Sequence, residues 1–231
     1  RHPELGFINP EEFIRLADQS GQTHKLTTFI MECIARDTHE RPDALAGTGI
    51  AINLSALDLD NSDLPNQISR IFHKWQQNMA LLTFEITESA LMAEAAAALD
   101  ALQRIRQLGC QLAVDDFGTG YSSLSQLRQL PVTELKIDKS FVLNLASENQ
   151  DRLIVRSTIE LAHGLGLSVV AEGIEDAESW QLLRDWGCEH AQGFFMARPM
   201  PADDLADWVE SFRSRARTLS APADETANGE E

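Results

Sequence analysis

The sequence predicts an α/β fold in which a parallel sheet curls into a (β/α)₈ TIM-like barrel. Two observations lead there. Short apolar runs alternate with amphipathic helical stretches six times after two leading helices, which is the beat of a parallel sheet covered by helices. Within the runs, one set of alternate residues is wholly apolar, while the other ends in a polar group at the carboxyl end.

Taken in order, Asn9-Pro10-Glu11-Glu12 reads as a helix start. Asn9 caps, Pro10 suits the first helical position, and the glutamates favour the positive helix end. Phe13, Leu16 and Ala17 give this helix one apolar stripe, expected to be buried. A second helix is expected over about 24–38, with Leu26, Phe29, Ile30 and Cys33 at helical spacing. The beats follow. The first run, 49–55, leads to an amphipathic helix over 64–78. The second, 82–88, leads to an alanine-rich helix over 90–108 that Gly109 is placed to end. The third, 112–116, precedes a short helix over 122–129. The fourth, 134–138, precedes a helix over 149–164. The fifth, 168–173, precedes a helix over 177–186, with Gly187 as its stop. The sixth, 190–196, precedes a last helix over 202–217. From Ser220 the composition predicts a disordered tail, so one domain is assigned to 1–217 and a tail to 218–231.

Alternation sorts the chemistry. Ile50 and Ile52 oppose Asn53, and Phe84 and Ile86 oppose Glu85. Leu112 and Val114 oppose Asp115, and Leu135 and Ile137 oppose Lys136 and Asp138. Glu172 ends the fifth run in the same way. In a flat sheet with strands ~4.8 Å apart, groups five strands apart would lie ~24 Å from each other. A closed barrel gathers them at its carboxyl-end face, where (β/α)₈ barrels hold their chemistry. No Gly-x-Gly-x-x-Gly turn follows a strand, which weighs against an open dinucleotide-binding sheet. Only six strands are visible where eight are needed. The chain is therefore expected to begin inside the barrel, missing its first two strands.

The stretch 111–122 anchors the functional reading. An apolar run ends in adjacent carboxylates, Asp115 and Asp116, and a loop carrying Gly118 and Gly120 follows. Adjacent aspartates at a strand end repel unless a cation lies between them, and hard oxygen donors suit Mg²⁺ or Mn²⁺. The glycines let the loop adopt backbone angles closed to other residues and approach a ligand closely.

Composition excludes several classes. No run of about 18 apolar residues exists, so no membrane contact by this segment is expected. Arg1-His2-Pro3-Glu4 is no signal peptide, since no apolar stretch follows. A net charge of −17 argues against a nucleic-acid polymer or an anionic membrane as partner. An anionic small ligand is compatible with that charge if bound cations invert the local field. Cys33, Cys110 and Cys188 are odd in number and widely spaced, which argues for a reducing compartment and against a disulfide framework or zinc site. A cytoplasmic location is expected, with any membrane anchoring left to upstream segments of a longer chain.

With these residues assembled, the sequence resembles the EAL-domain family of cyclic di-GMP phosphodiesterases over roughly 1–209. The motifs that carry the resemblance are Asn53-Leu54-Ser55, Phe84-Glu85-Ile86-Thr87-Glu88-Ser89, and Asp115-Asp116-Phe117-Gly118-Thr119-Gly120-Tyr121-Ser122-Ser123-Leu124. They continue with Leu135-Lys136-Ile137-Asp138-Lys139-Ser140-Phe141, Val170-Ala171-Glu172-Gly173-Ile174-Glu175, and Gln192-Gly193-Phe194 with Arg198-Pro199. The resemblance implies a (β/α)₈ barrel whose first strand runs antiparallel, and metal-dependent hydrolysis of one phosphodiester bond of cyclic di-GMP to give linear pGpG. It implies that Asn53, Glu85, Asp115 and Asp116 hold metal and that Lys136 and Glu172 are catalytic. Glu88 is similar to the residue that braces the loop after Asp116. Glu175 and Gln192, with the inward-facing Asp138, correspond to substrate-side or supporting positions. A two-metal site of Mg²⁺ or Mn²⁺ would clamp the attacking and leaving oxygens of an in-line displacement by water. The Glu of the Glu-Ala-Leu signature itself would lie just upstream of Arg1. The chain as written is therefore expected to be inactive, as a piece of a longer enzyme.

The partners this implies are cyclic di-GMP, a second copy of the chain paired near the loop after Asp116, and upstream GGDEF or sensor domains. Two other readings compete with the enzyme: a degenerate domain that binds cyclic di-GMP without cutting it, and a dimerisation scaffold. Retention of Asn53, Glu85, Asp115, Asp116, Lys136 and Glu172 favours the enzyme, because loss of ligand residues marks the degenerate forms.

Overall fold

The computed structural model describes residues 4, 6, 8–41, 47–93, 95–120 and 124–219, with the backbone alone for 11, 92–93, 95–97 and 213–219. Two helices lead, α1 (Pro10–Gln19) and α2 (Thr23–Glu40). Six strands follow: β1 (Ile50–Leu54), β2 (Leu82–Thr87), β3 (Gln111–Phe117), β4 (Glu134–Ile137), β5 (Ser168–Ala171) and β6 (His190–Ala191). They form one sheet in sequence order, with every pairing parallel. Single-step parallel crossovers in one direction, given the right hand that such connections almost always take, set the connecting helices on the same face. The opposite face is then left to close on itself by curling.

The crossovers are α3 (Ala56–Leu59) and α4 (Leu64–Lys74), then α5 (Glu88–Ala93) and α6 (Ala95–Gln107), then α7 (Leu124–Leu127). After β4 come α8 (Lys139–Val142) and α9 (Asn149–Gly164), after β5 α10 (Ala177–Asp185), and after β6 α11 (Leu205–Leu219). The apolar alternates foreseen in the sequence form the core between sheet and helices. Phe84, Ile86, Leu112, Leu135 and Ile137 are buried, against Ile68, Phe72, Leu102, Ile105 and Ile159 from the helices. Trp180 and Trp186 pack against the edge of this cluster.

Two local expectations are corrected, the burial of the α1 stripe and the extent of the sixth run, and α2 shows why the first fails. The stripe of α1 is not buried: Phe13 is 38% and Leu16 53% exposed. On α2 the buried residues are Thr23, Thr27, Met31 and Ala35, while Phe29 is 65% exposed. Periodicity locates an apolar face but not what covers it, and here the i, i+4 row that meets the core carries two threonines. The sixth run is a strand only at His190–Ala191. Beyond it the chain turns back over the end of β5, with Phe195 N–H donating to Ile174 O at 2.9 Å. Gly193 lies against the Ile174 backbone so closely that no Cβ fits, which converts an apolar Phe-Phe-Met stretch into a turn. The expected tail falls mostly on 220–231, outside the described residues, as do Tyr121, Ser122 and Ser123.

Candidate active site

The two aspartates reach the same place through a bulge. In the β3–β4 ladder Val114 pairs with Leu135 and Phe117 with Ile137, so Asp115 and Asp116 together face the single residue Lys136. A regular strand would send Asp116 to the helix-covered face. The extra residue cancels that alternation, as bulges beside functional sites do. Asp116 takes φ 55°, a left-handed conformation that costs a non-glycine residue about 1–2 kcal/mol. Its N–H donates to Asp115 Oδ1 at 3.0 Å.

Lys136 is the hub. Its Nζ lies 2.8 Å from Glu85 Oε1, 3.0 Å from Asp115 Oδ1 and 2.7 Å from Glu172 Oε1, with the lysine side chain 3% exposed. These partners come from β2, from β3 and from the residue that follows β5. Strands β2 and β5 would stand ~14 Å apart in a flat sheet, yet one ammonium touches carboxylates from both. The sheet is therefore curled, with its carboxyl ends converging. Burial pulls the ammonium pKa down, but Glu85, Glu172 and Asp115 outweigh it and hold Lys136 above the ordinary lysine range. The side chain is ionised at neutral pH.

One ammonium does not satisfy the carboxylates around it. Burial, followed in effect by the charges of Asp115, Asp138 and Glu172, pushes the Asp116 carboxyl up. Glu85 is also raised, chiefly by burial and despite Lys136. Asp116 forms no ion pair among the described residues. Asp115, Asp116 and Glu172 each offer a carboxylate oxygen, and these oxygens lie within 4.8 Å of one another. A compact, electron-rich set of hard oxygen donors with uncompensated negative charge fits a divalent cation such as Mg²⁺ or Mn²⁺.

The remaining residues divide by position. Asn53 pairs with Glu85 in the β1–β2 ladder, which puts both side chains on the inward face. Glu88, 2% exposed, accepts the Gly118 N–H at 3.0 Å and so ties the loop after β3 to the start of α5. A Cβ on Gly120 would stand 2.9 Å from Glu88 Oε1, so the loop packs directly on that carboxylate. Asp138 caps α8, accepting the Ser140 N–H at 3.0 Å and the Ser140 hydroxyl. Burial opposes ionisation of Asp138, but these hydrogen bonds and the Lys139 N–H hold its carboxyl below the usual range. Gly173, at φ 74° and packed on Lys139, turns the chain directly after Glu172. Glu175 is exposed, and so is Gln192. The backbone of Gln192 bonds to Ala171 O and Ile174 N at the end of β5.

Two features escaped sequence reasoning. Alternation put Asp115 inward but gave no reason for Asp116 to join it, since a bulge leaves no composition signal beyond the paired aspartates. Asp58, 1% exposed behind β1, was also missed; the Ser55-x-x-Asp58 spacing of a capping box was the available signal.

A family model for the EAL domain matches residues 1–199. A protein named cyclic di-GMP phosphodiesterase PA2567, from Pseudomonas aeruginosa, is 38% identical over 209 residues, covering 90% of this chain and 36% of its own length. The chain spans only 26–36% of the first three curated relatives it matches. Among solved structures, the PaMucR phosphodiesterase in complex with c-di-GMP is similar with a TM-score of 0.83 at 36% identity, covering 88% of this chain and 83% of that one. The EAL enzyme Bd1971, in its cAMP- and cyclic-di-GMP-bound form, is similar with a TM-score of 0.85 at 30% identity over 90% of this chain and 57% of that one. The family model covers all six strands of the sheet, and the chain belongs to the EAL domain family.

Proposed function

We propose that this domain hydrolyses cyclic di-GMP to linear pGpG with the help of Mg²⁺ or Mn²⁺. The observation that carries the reading is the convergence of Glu85, Asp115 and Glu172 on Lys136, with Asp116 beside them and in no ion pair among the described residues. The names of the relatives, and the c-di-GMP complexes among the similar structures, support the substrate.

Asn53, Glu85, Asp115, Asp116 and Glu172 would hold the metal, and Lys136 would share their carboxylates. Bound metal supplies positive charge to a phosphate oxygen and acidity to a water. The chain supplies the rest. Lys136 stays charged, spaces three carboxylates and offsets charge that develops on the phosphate. Glu172 stands at the open end of the cluster, where its carboxylate orients the attacking water or takes its proton. Glu88 accepts the Gly118 N–H and so holds the loop that follows Asp116. Asp138, Glu175 and Gln192, which follow β4, β5 and β6, are read as substrate-side or supporting residues.

The six strands are read as part of an eight-stranded barrel, within a domain over 1–217 followed by a tail. A longer chain carrying further domains is supported by relatives such as the bifunctional diguanylate cyclase/cyclic di-GMP phosphodiesterase MucR. Pairing of two copies near the loop after Asp116 is part of the same proposal. No helix among the described residues is long and apolar enough to cross a membrane.

The test is product analysis with the full chain that carries this domain. Cyclic di-GMP should yield linear pGpG in Mg²⁺ or Mn²⁺ and remain intact after chelation. Tight binding with no product in either metal would replace the hydrolase reading with that of a binding module.

A further inference from the structure

We infer that Asp58 is a positioning residue for Asn53, acting through the turn that leaves β1. The inference rests on the metal-dependent reading of the site. Asp58 is 1% exposed. Its Oδ2 accepts three hydrogen bonds, from Ser55 N, Ser55 Oγ and Thr27 Oγ1, each 2.9 Å long. The Asp58 N–H returns to Ser55 Oγ at 3.2 Å, completing a capping box at the start of α3. Its Oδ1 is buried and accepts no hydrogen bond among the described residues.

This is a costly way to cap a helix of four residues. A buried carboxylate with one oxygen unsatisfied is generally worse for stability than a well-packed apolar residue. The cap also does more than close a helix. The ladder to β2 fixes the chain up to Leu54, with Asn53 beside Glu85. Asp58 fixes it again at Ser55, the next residue, by binding that residue's N–H and hydroxyl. Leu54 between them is 3% exposed, held in the core. The peptide after Asn53 is therefore pinned from both sides, which fixes the backbone from which the Asn53 side chain extends on the inward face beside Glu85. Thr27, itself 6% exposed, anchors the clamp to α2, so the turn cannot drift as a unit.

The experiment uses the full chain and reads Mn²⁺ affinity by the electron spin resonance of free Mn²⁺, beside thermal stability and the metal dependence of cyclic di-GMP turnover. Asp58→Asn keeps an oxygen for the three donors and removes the buried charge. It should melt no lower than the parent and bind Mn²⁺ equally well. Asp58→Ala should weaken Mn²⁺ binding about tenfold, the loss typical when a group supporting a ligand is removed. It should raise the metal concentration for half-maximal turnover in proportion, with kcat at saturating metal nearly kept. Thr27→Val, which retains the cap, should lose about fivefold, one hydrogen bond's worth. Lower melting with unchanged Mn²⁺ affinity in Asp58→Ala would make Asp58 a structural cap only and overturn the inference. If Asp58→Ala does not fold, unchanged affinity in Thr27→Val overturns it instead. A parent chain that binds Mn²⁺ but does not cut cyclic di-GMP defeats the hydrolase reading, while the affinity comparison still decides this one.

Discussion

Lys136 Nζ sits 2.7 Å from Glu172 Oε1, the shortest of the three ion pairs that the ammonium makes. The pair joins β4 to the end of β5, and through the other two carboxylates it draws β2 and β3 into the same point. Removing one member of a buried charge cluster typically costs about 3–5 kcal/mol, because the partners are left uncompensated. Lys136→Met should therefore lower metal-free stability by about that amount. Added Mg²⁺ should recover part of the loss by replacing the missing positive charge. Turnover should fall by about a hundredfold or more even in saturating metal. Melting curves with and without Mg²⁺, beside kcat, check this; a metal-free variant as stable as the parent would contradict it.

Glu85 and Asp116 set a pH dependence of definite sign. Both carboxyls are raised from their ordinary values of 4.5 and 3.8, with burial as the largest cause. Their folded forms hold protons more firmly than the unfolded chain does. The stability they contribute is present below the ordinary carboxylate range and is lost as pH rises through their raised values. Asp138 works in the opposite sense: its carboxyl is lowered, so its contribution is present above 3.8 and is lost as pH falls through the depressed value. Bound divalent metal competes with the protons on Glu85 and Asp116. Stabilisation by Mg²⁺ should therefore grow between about pH 4 and pH 7, and Asp116→Asn should reduce that growth. Equal stabilisation across the range would contradict the raised carboxyls.

Gly173 controls where Glu172 can point. Its φ is 74°, and a Cβ there would fall 2.5 Å from Lys139 Cβ. Gly173→Ala should cost about 2–4 kcal/mol through backbone strain and overpacking. It should also lower kcat, because relief of the clash moves Glu172 away from Lys136. Recovery of kcat in a Gly173→Ala, Lys139→Gly double variant would locate the fault in that contact. A single variant with normal kcat would show that Glu172 tolerates displacement.

Much of this was legible in the sequence because it follows from period and spacing. Alternation placed Glu85, Asp115 and Lys136 on one face, and the need for distant strand ends to meet called for a curled sheet. The motifs at the strand ends carried the family. The rest depends on tertiary context. Asp116 reaches the cluster only through a bulge, which is visible in the register against Leu135 and Ile137 and not in the residues of β3 alone. The apolar stripe of α1 was readable, but whether anything covers Phe13 and Leu16 was not. On α2, Thr23 and Thr27 are buried while Phe29 is exposed, because the Thr27 hydroxyl finds a partner in Asp58 that hydropathy does not foresee. Asp138 shared a face with Lys136 in the sequence pattern, yet its carboxylate is engaged by the first turn of α8.

The most direct test is single-turnover cleavage of cyclic di-GMP by the full chain and its Glu172→Gln variant in saturating Mn²⁺, with nucleotide affinity measured in parallel. The parent should release linear pGpG. The variant should bind cyclic di-GMP with similar affinity but cut it about a thousandfold more slowly, as removal of a group that orients or deprotonates water does. Equal cleavage rates, or binding without cleavage in the parent, would contradict it.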